Sequence, residues 1–465
     1  MRETLHILRK DARALWPQIL LAVAATAVAS GYDPEKEHAE KLFVILVLSR
    51  WYLVVCAIQQ EKLVGDREWW LTRPYSWRSL LAAKALLIAL FINLPLLLTD
   101  VAQMTSQHVS LAWGHLAARQ AGLALTVVLP AAALAAVTDS VVTFGLAGLG
   151  MLVLLLFPAA KGEGLARWGP LLWIPTAAVV GVLAVAAIAL LLWQYSRRPT
   201  KRTRGVLGSA TVFGAIVLFV PPGGWGVGIA TNIAPAPPEA QTIHLELNQA
   251  ESPMVVAGPE DTVSFPVHLA AVPDGMLLVP DLVKLEADAP DGTHWRSGWR
   301  AVFYFPAAGL ARWTWHGSRD AILAFGMEHG VIGRLRAQRV TWRISAAMTV
   351  LGPERTQSVE PVDEQFTVKD FGICQLGPIF VYGRLVNCRN GTPPMERVAT
   401  TETSYQFAPD DDWLWEYTFN PTPVWHAPVM LPLDWKGPAI TFRMRKSIAY
   451  IRCDLTERIR IEGYQ

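Results

Sequence analysis

The spacing of apolar and polar residues changes part-way along the chain. As far as about residue 222, long uncharged runs rich in Leu, Ala and Val recur, each close to the ~20 residues a helix needs to cross a hydrocarbon core. Seven such runs are read near 14–31, 41–58, 79–101, 117–138, 140–159, 170–195 and 205–222. Little more than Thr138, Asp139 and Ser140 separates the fourth from the fifth, which predicts a tight helical hairpin. Beyond residue 240 the period falls to two. Ile243, Leu245 and Leu247 alternate with polar residues, as do Val263, Phe265, Val267 and Leu269, then Val340, Trp342 and Ile344, and later Ile440, Phe442 and Met444. Short strands between Gly, Pro and Asp turns predict a β-rich, sandwich-like domain, with a helix expected over 319–333. The expected architecture is a polytopic α-helical membrane bundle of about seven spans over 1–222, a linker over 223–240 and an extracytoplasmic β-rich domain over 241–465. The linker rests on "PPGGWGVGIATNIAPAPPEA", rich in residues that break helices.

Composition agrees with a membrane half: 52% of the residues are hydrophobic and only 17% charged, which is unusual for a water-soluble chain of this length. A net charge of +2, evenly spread, excludes the basic face that a nucleic-acid partner requires. Lys and Arg concentrate on one side of the predicted spans. Arg2, Arg9, Lys10 and Arg13, then Lys62, Arg67, Arg73 and Arg78, then Arg197, Arg198, Lys201, Arg202 and Arg204 fall together. The other side has Lys36, Lys41, Arg119, Lys161 and Arg167, with Asp33, Glu35, Glu37 and Glu40 diluting the first loop. The amino terminus is therefore expected in the cytoplasm of a multi-pass protein of the cell membrane, and an odd number of spans carries the β-rich half outside. Trp16 and Trp193 fall at inner boundaries and Trp113, Trp168 and Trp225 at outer ones, where indole rings prefer to sit. The polar start "MRETLHILRKDAR" precedes a run with no convincing cleavage site before Gly31, so the first span is expected to stay attached. Leu5, Leu8, Ala12 and Leu15 at helical spacing predict a short interfacial helix ahead of it.

The connection after the second span, 59–79, is longer than a tether needs to be. "QQEKLVGDREWW" has the pattern of a short amphipathic helix ending in Trp69 and Trp70, and Pro74 forces a break by disfavouring helical geometry at Arg73. Ser76 or Ser79 is placed to cap the next helix, with Lys84 near enough to the inner boundary to extend towards water. A basic start ("LHILRKDARALWPQILL"), a second span and then "EKLVGDREWWLTRPYSWRSLLAAKALL" together resemble the membrane subunits of ABC transporters of the type 2 exporter class. In that class a cytoplasmic connection between the second and third spans docks on a separate ATPase. The resemblance implies a coupling region containing Glu61, Gly65, Arg67, Glu68, Arg73, Pro74 and Lys84, with Trp69 and Trp70 as its aromatic surface. It also implies an ABC ATPase partner, a second permease subunit and outward movement of a hydrophobic or amphipathic substrate. No "GxxxxGK[ST]" occurs in the chain, so ATP is expected on the partner and no cofactor on this subunit. The family core has six spans, and the resemblance covers only the first half of the chain.

Arg50 lies within "LFVILVLSRWYLVVCAI", where a charge is costly and needs a partner. It is read either as a structural bond to a carbonyl or acidic side chain within the bundle or as a contact to an anionic substrate headgroup or a gating pair. Asn93, Pro95 and Pro130 mark expected kinks in the third and fourth spans. In the β-rich half, Cys374 and Cys388 flank "QLGPIFVYGRLVN" at a spacing that closes across a hairpin, with Cys453 an alternative partner. "GMEHG" around His329 lacks the second histidine of a zinc motif, and no GxSxG elbow is present. His294, His316 and His426 sit beside tryptophans, Asp410, Asp411 and Asp412 form an acidic turn, and Trp313 with Trp315 and Trp413 with Trp415 project to one face. No metal site or catalytic set follows, and the transport subunit is expected not to be an enzyme. The alternative is a membrane-anchored sensor or assembly protein with an exterior binding domain.

Overall fold

The computed structural model describes residues 2–30, 39–60, 75–160 (without 107, 110 and 112), 171–248 (without 172, 198–199 and 220–222), 250–256, 261–303, 311–315, 319–360 (without 337), 365–369, 372–380, 383–390, 396–400, 425–431, 439–461 and 463–464. Glu61, Gly65, Arg67, Glu68, Trp69, Trp70, Arg73 and Pro74, expected to form the coupling region, lie outside them, as do His316, Asp410, Asp411, Asp412, Trp413 and Trp415.

The first half is helical: α1 Arg2–Ala14, α2 Trp16–Ser30, α3 Ala39–Gln59, α4 Trp77–Ser106, α5 Trp113–Val137, α6 Val141–Ala160, α7 Trp173–Arg197 and α8 Thr200–Phe219. Among the described residues three helices, not the seven expected, are long and apolar enough to cross a membrane: α4, α5 and α7, of 30, 25 and 25 residues. The apolar parts of α2, α3 and α6 are shorter, at Trp16–Val28, Val44–Gln59 and Val141–Leu155, and α8 opens with Lys201, Arg202 and Arg204. The predicted hairpin is present, α5 ending at Val137 and α6 starting at Val141.

Prolines shape both α4 and α5. Pro95 and Pro130 have no N–H to return to the preceding turn, so a regular α-helical ladder cannot run through them. Each helix opens into one π-turn just upstream, Ala89–Asn93 in α4 and Ala124–Val128 in α5. There Leu94 N–H reaches Ala89 O, and Leu129 N–H reaches Ala124 O. The same local sequence, "ALFINLP" and "ALTVVLP", produces the same break twice.

The surface of this half is apolar. Leu20, Leu48, Leu98, Val142, Leu146, Val185 and Ile216 are exposed, and among the described residues only Val256 and Ile448 of the large exposed hydrophobics follow Ile233. A surface of this kind is unfavourable in water and asks for lipid or protein cover. Trp16, Trp113 and Trp225 are also exposed.

The segment expected as a linker contains a helix, α9 Gly224–Ile233. Its Val227 and Ala230 face an apolar seam, which outweighs the low helix propensity of its glycines. The second half then runs β1 His244–Leu247, β2 Met254–Val256, β3 Asp261–Ala270, β4 Leu277–Asp288, β5 His294–Phe303, β6 Ala311–Trp315, β7 Asp320–Met327, α10 His329–Arg336, β8 Val340–Leu351, β9 Arg355–Val359, β10 Gln365–Val368, β11 Gly372–Phe380, β12 Gly383–Asn390, β13 Glu396–Thr400, β14 Trp425–Leu431, β15 Ile440–Ile459 and β16 Gly463–Tyr464. The helix expected over 319–333 is a strand for most of its length: β7 alternates buried and half-exposed residues and pairs with β3, leaving only α10 helical.

A 12-stranded sheet has the order β13-β15-β8-β4-β5-β6-β7-β3-β2-β16, with β1 on β3 and β9 on β15. Its two ends share one core. Val263, Phe265 and Phe325 from β3 and β7 pack with Leu285, Trp342, Ile344 and Ile451 from β4, β8 and β15, and the rings of Phe265 and Trp342 meet edge-on at 5.1 Å. A second, four-stranded sheet runs β10-β11-β12-β14. The long β15 joins the two cores: Ile440, Phe442 and Met444 pack on the small sheet, and Ile451, Cys453 and Leu455 on the large one.

The two halves meet at an apolar seam. Leu171 and Ile174 at the start of α7, with Val227 and Ala230 of α9, bury against Leu282, Trp299, Ala301 and Ala347 of β4, β5 and β8. Tyr450 N–H also bonds Ala234 O at 3.0 Å. The sheet therefore sits at the end of α7 opposite Arg197.

Candidate functional site

Among the described residues of the helical half, the buried charges gather in two clusters, one near each end of α4. The first fastens α1 to the beginning of α4. Ser76 caps α4, its Oγ accepting from Ser79 N–H at 3.1 Å. Glu3 on α1 then takes Ser76 N–H at 2.9 Å and Ser79 O–H at 2.6 Å. These two bonds, the hydroxyl one foremost, hold the Glu3 carboxyl below its ordinary range. Two turns of α1 further on, Lys84 Nζ lies 2.7 Å from Asp11 Oδ2, with side chains 1% and 0% exposed. Lys84 does not extend to water as its position suggests; it turns inward to Asp11. The face of α1 that packs on the bundle is Ile7, Asp11 and Leu15 at spacing four, while Leu5 stays exposed. An acid on the apolar stripe of a helix was the sequence signal for this contact, and hydrophobic periodicity alone passes over it.

The end of α3 is fastened as well. Gln59 Nε2 donates to Thr138 O at 3.3 Å and to Thr138 Oγ1 at 3.1 Å, and Arg204 Nε donates to Val137 O at 2.8 Å. Residues 61–74 thus leave from one anchored end, Gln59, and return at another, Ser76.

The second cluster joins α3, α4 and α5. Arg119 Nε donates to Asp100 Oδ2 at 3.1 Å, the two side chains 2% and 1% exposed. Gln120 Nε2 reaches the same oxygen at 3.4 Å, and Asn93, closing the π-turn of α4, donates to Gln120 Oε1 at 3.3 Å. Arg50 of α3 is buried near both charges. Its Nε and Nη2 find no hydrogen-bond partner among the described residues. Of the residues singled out from sequence, Arg50 and Asn93 come together here. Asp100 was not singled out, and Arg119, counted from sequence among the outer flanking charges, is instead buried on Asp100; both were visible as charges in apolar runs.

In the β-rich half, Cys374 and Cys388 are directly opposed on β11 and β12 and form a disulfide. Cys453 remains a thiol, buried, with its pKa pushed up to about 12 by burial and by Asp454. His294 Nδ1 contacts Asp288 Oδ1 at 2.5 Å, which lowers the Asp288 pKa, and the exposed His329 contacts Asp261 at 2.6 Å. These are separate pairs, and among the described residues no three His, Cys, Asp or Glu side chains gather as metal ligands would. Trp313 and Trp315 fall on β6 and His426 on β14.

No protein-family model matches the chain, and no curated protein matches it.

Proposed function

We propose that the chain is a membrane-spanning permease subunit of an ATP-driven exporter of the ABC type 2 class, coupled through residues 59–79 to a separate ATPase and paired with a second permease subunit. In this reading α2, α3, α6 and α8 cross the bilayer beside the three longer helices, giving seven spans. The basic residues at Arg197, Lys201, Arg202 and Arg204 face the cytoplasm, and the β-rich half lies outside the cell membrane. A disulfide between Cys374 and Cys388 fits an oxidising exterior.

The observation that carries the reading is the fastening of both ends of the 61–74 connection. A coupling element has to turn displacement of an ATPase into displacement of helices, and a segment loose at either end would swing instead. Here one end is held by Gln59 on Thr138, and the other by Ser76 and Ser79 on Glu3, with Lys84 on Asp11 behind them. The test is copurification: an ATPase subunit is expected with the wild-type chain and lost on Glu61→Ala or Arg67→Ala. Retention of that partner after residues 61–74 are replaced by a flexible Gly/Ser linker would reject the coupling role.

A further inference from the structure

We propose that the cluster around Arg50 binds a singly charged oxyanion, the phosphate or carboxylate headgroup of an amphiphile drawn from the bilayer; the proposal rests on the permease reading and names its class of substrate. Arg50, Asp100 and Arg119 are all nine-tenths or more buried. The Arg50 guanidinium holds Nε and Nη2 without a hydrogen-bond partner among the described residues, and a buried charge without a bonded counter-ion is expensive in an apolar bundle. At the other end of α4 the buried cation has its carboxylate, Lys84 lying 2.7 Å from Asp11. Of the buried cations among the described residues, Arg50 alone has no carboxylate within salt-bridge distance.

The unmet atoms specify what would fit. Nε and Nη2 form one edge of the Arg50 guanidinium, two parallel donors that match two oxygens of a phosphate or carboxylate. Asp100 uses Oδ2 for Arg119 and Gln120, while its Oδ1 has no hydrogen-bond partner among the described residues. A headgroup hydroxyl or a water accompanying the anion would meet that acceptor. A neutral ligand would satisfy the donors and leave the Arg50 charge without a bonded counter-ion. Arg50 Nε and Nη2 are closed off from solvent in this conformation, so entry of a ligand to them requires α4 and α5 to part. Both helices are interrupted by π-turns beside the cluster, and Asn93 at the end of one contacts Gln120, which precedes the other. Such turns are frequent where helices rearrange at functional sites.

The test uses the full-length chain in non-ionic detergent, incubated separately with phosphatidylglycerol, phosphatidylcholine, oleate and inorganic phosphate, and read by native mass spectrometry. Wild type is expected to retain phosphatidylglycerol or oleate over phosphatidylcholine, which carries the same phosphate at zero net charge. Preference between the first two assigns a phosphate or a carboxylate headgroup. Arg50→Gln is expected to weaken retention by roughly tenfold to a hundredfold, the loss of a charged hydrogen bond, and Arg50→Lys to restore part of it. Asp100→Asn removes a negative charge beside Arg50 and is expected to tighten retention, an effect opposite to that of loosening a scaffold. Equal retention by wild type and Arg50→Gln, loss in Asp100→Asn, or binding of inorganic phosphate as tight as of the amphiphiles would overturn the proposal. Copurification of an ATPase with the wild-type chain is scored separately, so its failure would remove the permease reading while leaving the measured headgroup preference standing.

Discussion

Lys84 and Asp11 lie 73 positions apart and bond at 2.7 Å within the helical bundle, sealed from solvent. The bridge joins the helix that precedes the first predicted span to the third. Each charge alone would be costly in these surroundings, so the pair commits α1 to the side of α4. Glu3 completes the attachment at the mouth of α4, where the connection from α3 returns.

Removing one partner is therefore expected to cost more than removing both. Lys84→Met or Asp11→Leu alone should destabilise the bundle by up to roughly 3–5 kcal/mol, because each takes the 2.7 Å counter-ion from a buried charge; Lys10, 3.6 Å from Asp11, offsets part of the loss in Lys84→Met. The double variant should recover much of that loss. A double-mutant cycle on thermal unfolding in detergent measures the difference, and additive single effects would show that the two charges do not depend on each other.

The Glu3 contact should be insensitive to pH near neutrality. Its carboxylate pKa is lowered, chiefly by the Ser79 hydroxyl and then by the Ser76 amide. A lowered carboxylate contributes fully above its unfolded value and loses that contribution as pH falls through the folded one. The attachment of α1 to α4 should thus persist from neutral pH down to the ordinary glutamate range, near ~4.3, and loosen only below it. Hydrogen exchange at the Ser76 amide reports this. Protection that is identical in wild type and Glu3→Ala would show that the amide owes nothing to the carboxylate.

Much of the fold could be read from residue pattern because its causes are local. The strands at Val263 to Leu269 and Val340 to Ile344, the hairpin at Asp139 and the capping serine at position 76 each follow from a few neighbouring residues. What the pattern misjudged depends on tertiary partners. The glycine-rich 224–233 segment is helical because Val227 and Ala230 have a sheet to pack on. The stretch "AILAFGM" is a strand because β3 offers it a ladder. Lys84 is buried because Asp11 lies in reach, and the Asp100–Arg119 pair exists because α4 and α5 run side by side. Pairings of this kind are invisible one segment at a time.

The disulfide should stabilise the small sheet specifically. It closes 14 residues between β11 and β12 inside the cluster of Phe366, Val368, Val386 and Phe442, and a loop of this order is worth about 3 kcal/mol of unfolded-state entropy. Cys374→Ala with Cys388→Ala should lower resistance to proteolysis over 365–390 and leave the core around Phe265 and Trp342 intact. Cys453 should resist alkylation in the folded protein, since its thiol is buried and its pKa is pushed up to about 12, and should react only on unfolding. Labelling of Cys453 in native protein at the rate of a free thiol would contradict that burial.

The seam between helices and sheet makes the last prediction, since adjacent residues of β8 face opposite sides. Ala347 points to Leu171, Ile174 and Val227, whereas Met348 points into the sheet's own core. A glutamate at either position places an unpaired charge in an apolar site, at a cost of several kcal/mol, but the consequences should differ. Ala347→Glu should detach the sheet from α7 and α9, exposing the chain between Ile233 and His244 to protease while the sheet itself stays resistant. Met348→Glu should open the sheet to digestion throughout. Protease added to intact cells makes the comparison and tests orientation as well, because in the proposed topology the seam is reached from outside. If cleavage of the Ala347→Glu protein required inverted vesicles, the β-rich half would have to lie on the cytoplasmic side, and the span count with the coupling role of residues 59–79 would fall with it.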